Sequence, residues 1–391
     1  MTQPQKTLDI ASSIIKNKAD AFLMIGDSHD ADMYYATEFF ASDPFTYLQT
    51  KDGNEILLLS EMERGRAEME SRISDIQTTN EYDYKSKVKA RGDPALGYVD
   101  ALAELLQKED IRKIAVPRHF PLFTAQSLKE EGFTVMPIKS PLREMRMKKD
   151  KSEIEHITSV QDACETAMQS AIDMIKNAIV TDNVLYHNGY NLTSEHVRAE
   201  IEHTLLYMGC EADSTIVACG KKSANPHWEG EGTIMANEPI VIDIFPRNKK
   251  SRYYADMSRT VLKGKSSKEL GNMYVAVIAA QDAAFKLIKP GVHCSDIHNA
   301  VCDTFEELGY DTIRNDSKVG FIHSTGHGVG LDIHEHPNVG DNDSVLEEGN
   351  VITIEPGLYD PELGGIRIED LVVVTKNGYK NLTKFEKEFV V

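Results

Sequence analysis

The pattern of apolar and polar positions changes character along the chain, and the changes mark out its elements. In the first part, short apolar runs alternate with amphipathic stretches. ADAFLMIG, centred on 20–26, and EILLLS, 55–60, are apolar runs of strand length. GYVDALAELLQK, 97–108, sets Val99, Leu102, Leu105 and Leu106 on one side at helical spacing. IRKIAVP, 111–117, reads as a strand stopped by its proline, followed by a helix over 121–131 and a strand over 132–137. Strand and helix in alternation predict a small α/β domain. PLREMRMKKD, 141–150, breaks that alternation with a proline and a basic cluster, so a domain boundary is placed there, giving segments 1–145 and 146–391.

The second segment opens on a long helical pattern, 151–178, with Ile154, Ile157, Val160, Ala163, Ala167, Ala171 and Met174 at helical spacing. Ser152, Glu153 and Glu155 put acidic residues in its first turn, where the exposed N–H groups favour them. A helix over 194–209 closes at Gly209. Strands are predicted at 215–219, 239–245 and 253–264, then helices at 267–288 and 295–308 joined by the turn KPGV. Residues 319–391 are rich in short strands and glycine.

Composition narrows the class. The 391 residues are 41% hydrophobic and 27% charged, which suits a globular chain of two to three domains. No apolar run reaches the roughly 20 residues that span a bilayer. The opening MTQPQKTLDIASSIIKNKAD lacks the apolar core and cleavage site of a secretory signal, so the cytoplasm is the expected compartment. The net charge is −19, with 21 basic against 25 acidic residues through position 150 and 22 against 37 beyond it. An acidic chain of this kind is a poor match for nucleic acid or an anionic membrane. Five cysteines, an odd number without C-x-x-C spacing, predict no disulfide framework and no zinc knuckle.

Candidate chemistry lies in the acidic second segment. Asp243 stands in the apolar run PIVIDIF, and Asp256 follows in YYADMSRT. IHSTGHGVGLDIHEHP holds His323, His327, His334 and His336 within fourteen residues. Glu355 and Glu369 stand in VITIEPGLY and GGIRIEDLVVV. An ionised carboxylate inside an apolar strand is costly unless it is paired or binds metal. Singly, each reads more readily as a salt-bridge partner. Together they form a pattern: Asp243 and Asp256 lie 13 apart, Glu355 and Glu369 14 apart, each spacing suiting two antiparallel strands joined by a loop. Two such pairs would offer four carboxylates to one interior site. With one imidazole added, the set suits hard or borderline divalent ions, and two such ions balance four negative charges.

These words, in this order, resemble the pita-bread metallopeptidases, the group of methionine aminopeptidase, aminopeptidase P and prolidase. The family pattern of an aspartate closing an apolar strand, D-x-T-R-T, H-x-x-x-H-G-x-G, I-E-P-G and G-x-R-x-E-D is met by VID at Asp243, DMSRT from Asp256, HSTGHGVG from His323, IEPG at Glu355 and GIRIED with Arg367 and Glu369. The first 140 or so residues resemble the creatinase-type N-terminal domain of aminopeptidase P and prolidase. The implied fold is an α/β creatinase-like domain followed by an α+β pita-bread catalytic domain.

The resemblance implies metal ligands Asp243, Asp256, His327, Glu355 and Glu369, holding two divalent ions, Mn²⁺ first, with Co²⁺ or Zn²⁺ as alternatives. Asp256 and Glu369 would bridge the ions, and Glu355 would also move protons. His227, in NPHW, and Arg367 match substrate-pocket residues. His323 and His334 match histidines flanking the substrate and the developing oxyanion. The implied reaction is hydrolysis of an Xaa-Pro bond at the N-terminus of a di- or oligopeptide, by a homodimer. Cleavage of non-proline peptides is the alternative. A non-catalytic binding module is disfavoured, because branches of that kind have lost ligands that are all present here. The chain departs from the pattern in a loop two residues longer between the aspartates, in Phe245 and Arg252 where glycines are usual, and in Ser258 for the first threonine.

Overall fold

Residues 10–391 are described by a computed structural model, and the chain divides between Arg146 and Met147 into two units. The apolar runs of the first unit become strands of one six-stranded sheet. Its strands are β1 (Ala21–Gly26), β2 (Phe45–Thr50), β3 (Glu55–Leu59), β4 (Asp75–Thr78), β5 (Lys113–Pro117) and β6 (Thr134–Ile138), in the order β4-β3-β2-β1-β5-β6. β2 runs antiparallel to both of its neighbours, while β3 with β4, β1 with β5 and β5 with β6 are parallel. The helix Pro94–Lys108 is capped by Asp93, whose carboxylate accepts from the N–H groups of Ala95 and Leu96. Its Val99, Leu102, Leu105 and Leu106 share one apolar core with Leu23, Leu48, Ile56 and Ile114 of the sheet.

Two of these strands escape the hydrophobic pattern. FTYLQT is buried at all six positions, yet half of it is polar. The fold tolerates this because the side chains find partners inside: the Thr46 and Tyr98 hydroxyls bond at 2.6 Å, and the Tyr47 hydroxyl donates to Gln49 at 3.0 Å. The other, β4, is a four-residue edge strand too short to show a period.

The second unit is built on antiparallel sheets. Ile216–Cys219, Ile240–Ile244 and Met257–Val261 form one, with Ile240–Ile244 at its centre. Five strands form another, in the order Glu335–Val339, Gly326–Gly328, Val351–Ile354, Asp370–Thr375, Gly378–Asn381. Gly357–Asp360 and Gly364–Arg367 make a hairpin between them in sequence. The helices Lys268–Phe285 and Cys294–Glu307 pack together and lay Met273, Val277, Val301 and Phe305 into one core with Ile352, Ile354, Ile368 and Val372. The helix Lys151–Lys176 starts one residue before Ser152, with Asp150 as its cap. Asp150 and Glu153 accept from each other's backbone N–H at 2.9 Å, a reciprocal capping box.

Two contacts tie the sheets of this unit together. The Glu369 N–H donates to the Ser258 carbonyl at 3.0 Å, joining one sheet to the other. Beneath that crossing lies Arg259, 2% exposed. Its guanidinium donates to the carbonyls of Ser258 (2.9 Å), Glu369 (2.6 Å), Phe385 (2.8 Å) and Glu386 (3.1 Å) and pairs with Asp370 at 2.8 Å. Replacing it takes the donor from four carbonyls and leaves Asp370 only Lys387 as a cationic partner. Arg259→Met is expected to lower the unfolding free energy of this unit by about 3–5 kcal/mol in urea titrations. A loss under 1 kcal/mol would show that the guanidinium is dispensable.

Candidate metal centre

Strand register brings the acidic residues to one end of the sheets. Asp243 is opposite Ser258, so Asp256 lies two residues earlier on the facing chain. Ile354 is opposite Asp370, so Glu355 and Glu369 are the next pair beyond the ladder. The two antiparallel pairings inferred from spacing are therefore present. Two details differ from expectation. Asp256 precedes its strand, because residues 253–256 make only a single bridge, Tyr254 with Arg247. Glu355 and Glu369 lie just outside strands, since Pro356 has no N–H to continue the ladder and the chain turns off into the hairpin. Their backbones are fixed regardless. The Glu355 N–H donates to the Thr325 carbonyl at 2.8 Å, and the Glu369 N–H crosses to the other sheet.

The fifth residue comes from the glycine-rich strand Gly326–Gly328. A Cβ on Gly326 would meet the Thr353 carbonyl at 2.0 Å, so only glycine lets this strand lie so close. That approach places His327, whose N–H donates to the Thr353 hydroxyl at 3.0 Å. One donor atom each of Asp256, His327 and Glu369 lies within 4.8 Å of the others. His327 Nε2 is 3.5 Å from Asp256 Oδ2 and 3.3 Å from Glu355 Oε1.

The electrostatics of this cluster call for a cation. His327 Nδ1 lies 3.1 Å from the Gly328 carbonyl, to which it can only donate. In the neutral ring, Nε2 then turns a lone pair toward two carboxylates. Acceptors facing acceptors need a proton or a cation between them. Two carboxylate oxygens, Asp243 Oδ1 and Glu369 Oε1, are buried without a hydrogen-bond partner among the described residues. Burial first, and neighbouring carboxylates second, push Asp256 and Glu369 well above the ordinary carboxylate range. Burial raises Glu355 to about 7, with Arg367 opposing. Four carboxylates with one imidazole and unused oxygens fit a hard or borderline divalent ion.

A second layer of side chains holds the first. Arg367 is buried and donates through Nη2 to Asp243 (2.6 Å), through Nε to the Ser258 hydroxyl (2.9 Å) and through Nη1 to the Tyr359 hydroxyl (3.0 Å). Ser258 passes its own proton to Glu369 Oε2 at 2.9 Å. Arg367 thus contacts Asp243 directly and reaches Glu369 through Ser258, the residue that replaces threonine. Tyr359, having accepted from Arg367, donates to His323 Nε2 at 2.9 Å. His323 Nδ1 donates to the Ser324 carbonyl at 2.7 Å, and burial lowers its pKa to about 4. This narrows an expectation. His323 is neutral with both nitrogens engaged, so it has no N–H to offer an oxyanion.

His334 is placed differently. It is exposed, and its ring packs edge-on against His327 at 4.3 Å between centroids. Burial of the ring, then His327 and His227, lower its pKa. Its turn is held by Glu335, which accepts from the N–H groups of Leu331 (2.9 Å) and Asp332 (3.1 Å) and pairs with buried Lys149 at 2.9 Å. His227 is exposed, and its N–H donates to the Asn225 side chain at 3.3 Å. Its field acts on Glu355, His323 and His334. His336 is exposed beside Pro337 and makes no such contact with the cluster. The sequence reading missed Tyr359. Its signal was a phenol following glycine and leucine in a strand, whose hydroxyl needs a partner when buried.

Comparison with known proteins bears on the fold and the family. The sequence model of metallopeptidase family M24 matches residues 155–376, and that of the creatinase/prolidase N-terminal domain matches residues 10–148. The Xaa-Pro dipeptidase of Pyrococcus furiosus is 36% identical over 253 residues, covering 64% of this chain and 66% of that protein. The Xaa-Pro dipeptidase of Pyrococcus horikoshii is 32% identical over 288 residues, 72% of this chain and 76% of that one. Among solved structures, the X-Pro aminopeptidase of Thermotoga maritima MSB8 superposes with a TM-score of 0.81 at 27% identity, covering 98% of this chain and all of the other. The expected fold, a creatinase-type domain followed by a pita-bread domain, is borne out. Among the described residues, no helix is long and apolar enough to cross a membrane.

The raised carboxylates generate a test. Burial and neighbouring carboxylates favour the protonated forms of Asp256, Glu369 and Glu355 more than in ordinary carboxylates. A cation competes with those protons, so Mn²⁺ binding is expected to release protons and to tighten as pH rises. Titration calorimetry in two buffers of different ionisation enthalpy reads the count. A release of zero would mean that the carboxylates are already ionised.

Proposed function

The chain belongs to metallopeptidase family M24, and on that premise we propose that it hydrolyses the bond between an N-terminal residue and a following proline in di- or oligopeptides. Asp243, Asp256, His327, Glu355 and Glu369 would hold the metal. The observation that carries this reading is the cluster itself: one atom each of Asp256, His327 and Glu369 lies within 4.8 Å of the others, Glu355 Oε1 is 3.3 Å from His327 Nε2, and Asp243 Oδ1 and Glu369 Oε1 are buried without a hydrogen-bond partner among the described residues. The relatives named Xaa-Pro dipeptidase and the structural neighbour named X-Pro aminopeptidase support the proline specificity. The same reading takes two divalent ions, Mn²⁺ first, and a homodimer in the cytoplasm.

When bound, divalent ions lower the pKa of water and polarise the scissile carbonyl. The protein's own groups do the rest. Glu355, whose pKa lies near 7, accepts a proton from the attacking water. The water oxygen bonds to the carbonyl carbon, the C–N bond breaks, and Glu355 delivers its proton to the proline nitrogen. That nitrogen carries no hydrogen in the peptide, so the delivered proton is what makes it a leaving amine. His334 donates from its ring N–H to the oxyanion as it forms. His323, fixed by Ser324 and Tyr359, serves as a rigid neutral wall of the substrate pocket. His227 would contact the substrate. Arg367 acts from behind, holding Asp243 and Tyr359 in place rather than touching the peptide. The negative basin attracts the protonated α-amine of the substrate.

Two measurements test this. Glu355→Gln keeps the shape but cannot accept the proton, and turnover of an Xaa-Pro substrate is expected to fall at least 10²-fold, with near-native circular dichroism. Undiminished turnover in that variant would remove Glu355 from the mechanism. The second measurement offers the Mn²⁺-loaded protein an Xaa-Pro dipeptide and an Xaa-Pro-Xaa tripeptide together, with alanine in place of proline as controls. Cutting only the dipeptide makes it a prolidase, and releasing the first residue of the tripeptide makes it an aminopeptidase P. If neither proline peptide is cut, the proline specificity is wrong.

A further inference from the structure

Gln281 lies in the C-terminal half of the helix Lys268–Phe285 and is fully buried. A buried amide so placed must spend its polar atoms on specific partners. Its Nε2 donates to the Ile354 carbonyl at 2.8 Å and to the Ile368 carbonyl at 3.2 Å. Those two residues immediately precede Glu355 and Glu369. They sit where the ladder between Val351–Ile354 and Asp370–Thr375 ends and the two chains diverge into the hairpin. Between that ladder and the hairpin, the Ile368 N–H reaches the Pro356 carbonyl at 3.4 Å. One amide therefore spans the gap between the peptide units that carry two of the carboxylates.

The amide is itself held. Its Oε1 accepts from Lys387 Nζ at 2.6 Å. The same ammonium pairs with Asp370 at 2.8 Å, while Asp370 also accepts from Arg259 and Asn381. The ammonium lies 5.3 Å from the centre of the Phe285 ring. A charged donor on Oε1 polarises the amide and leaves Nε2 no choice of orientation. Flipping the amide would set two carbonyls against an oxygen and the ammonium against an NH₂ group.

We propose that Gln281, braced by Lys387, is a positioning residue for the metal centre, fixing the separation of Glu355 and Glu369 through the backbone. This rests on the ligand assignment above. The segment after Thr383, distant in sequence from the ligands, thereby becomes part of their support. Partners of metal ligands commonly change affinity by 10–100-fold when removed, and the same scale applies here.

The test uses the full chain stripped of metal and titrated with Co²⁺, read by calorimetry and by the visible absorption of the bound ion. Gln281→Met keeps the volume and removes the amide. It is expected to bind Co²⁺ at least 10-fold more weakly and to alter the absorption bands, in protein folded at the assay temperature. Lys387→Met, at a half-exposed position, should give a smaller weakening of the same kind, and Lys387→Arg should restore wild-type binding. If Gln281→Met does not fold, Lys387→Met decides. Lower melting temperatures with unchanged Co²⁺ affinity and spectrum would make the amide a structural filler and overturn the proposal. Glu369→Ala separates the two ideas: if it binds Co²⁺ as the wild type does, the ligand assignment fails, whatever the Gln281 variants show.

Discussion

Four carboxylates at one buried place repel one another, and the catalytic unit is arranged around that repulsion. Water would normally screen it, but Asp243, Asp256 and Glu369 are all nearly out of solvent. The fold holds them by backbone rather than by side chain alone. Asp243 rides a central strand, and Glu369 is pinned where one sheet is bonded to the other. Arg367 offsets part of the charge from beneath, and Arg259 with Asp370 locks the crossing further back. The unfavourable charge is thus set in place by folding, before any ion arrives. A cation entering such a site meets ligands that need little reorganisation, which is why crowding can serve tight binding.

Around this basin the hydrogen bonds run in one direction. Arg367 can only donate, so Tyr359 must receive from it and pass its own proton to His323. The Ser324 carbonyl can only accept, which fixes the proton of His323 on Nδ1. A similar restriction at the Gly328 carbonyl turns His327 Nε2 toward the carboxylates. The histidines of one motif therefore differ in role because of what faces their nitrogens, not because of their spacing.

Much of this was legible in the sequence because it breaks the hydrophobic pattern. A charge within PIVIDIF or VITIEP is an anomaly that needs a reason, and the residues concerned do meet. The limits are equally physical. Tyr253 and Tyr254 look like strand residues, so Asp256 was placed inside a strand that begins after it. FTYLQT carried no apolar signature because its polar groups pair with one another. Asp150, at the end of a basic cluster, did not look like a helix cap. Gln281 could not be found at all, since a glutamine in a helix is normally a solvated residue. Only the tertiary fold shows two carbonyls and an ammonium around it.

The bonds from Arg259 to the carbonyls of Phe385 and Glu386, and from Leu262 to Phe389, have a consequence for how the molecule is made. During synthesis, the sheet around Asp243 leaves the ribosome long before the segment that closes over Arg259. Until that segment emerges, a buried guanidinium lacks two of its acceptors, and the crossing between the sheets is incomplete. The first unit has its own core and can form early. The acidic basin is completed after the first unit, so a nascent chain would carry a folded front half and an acidic cluster still waiting for the segment that closes over Arg259.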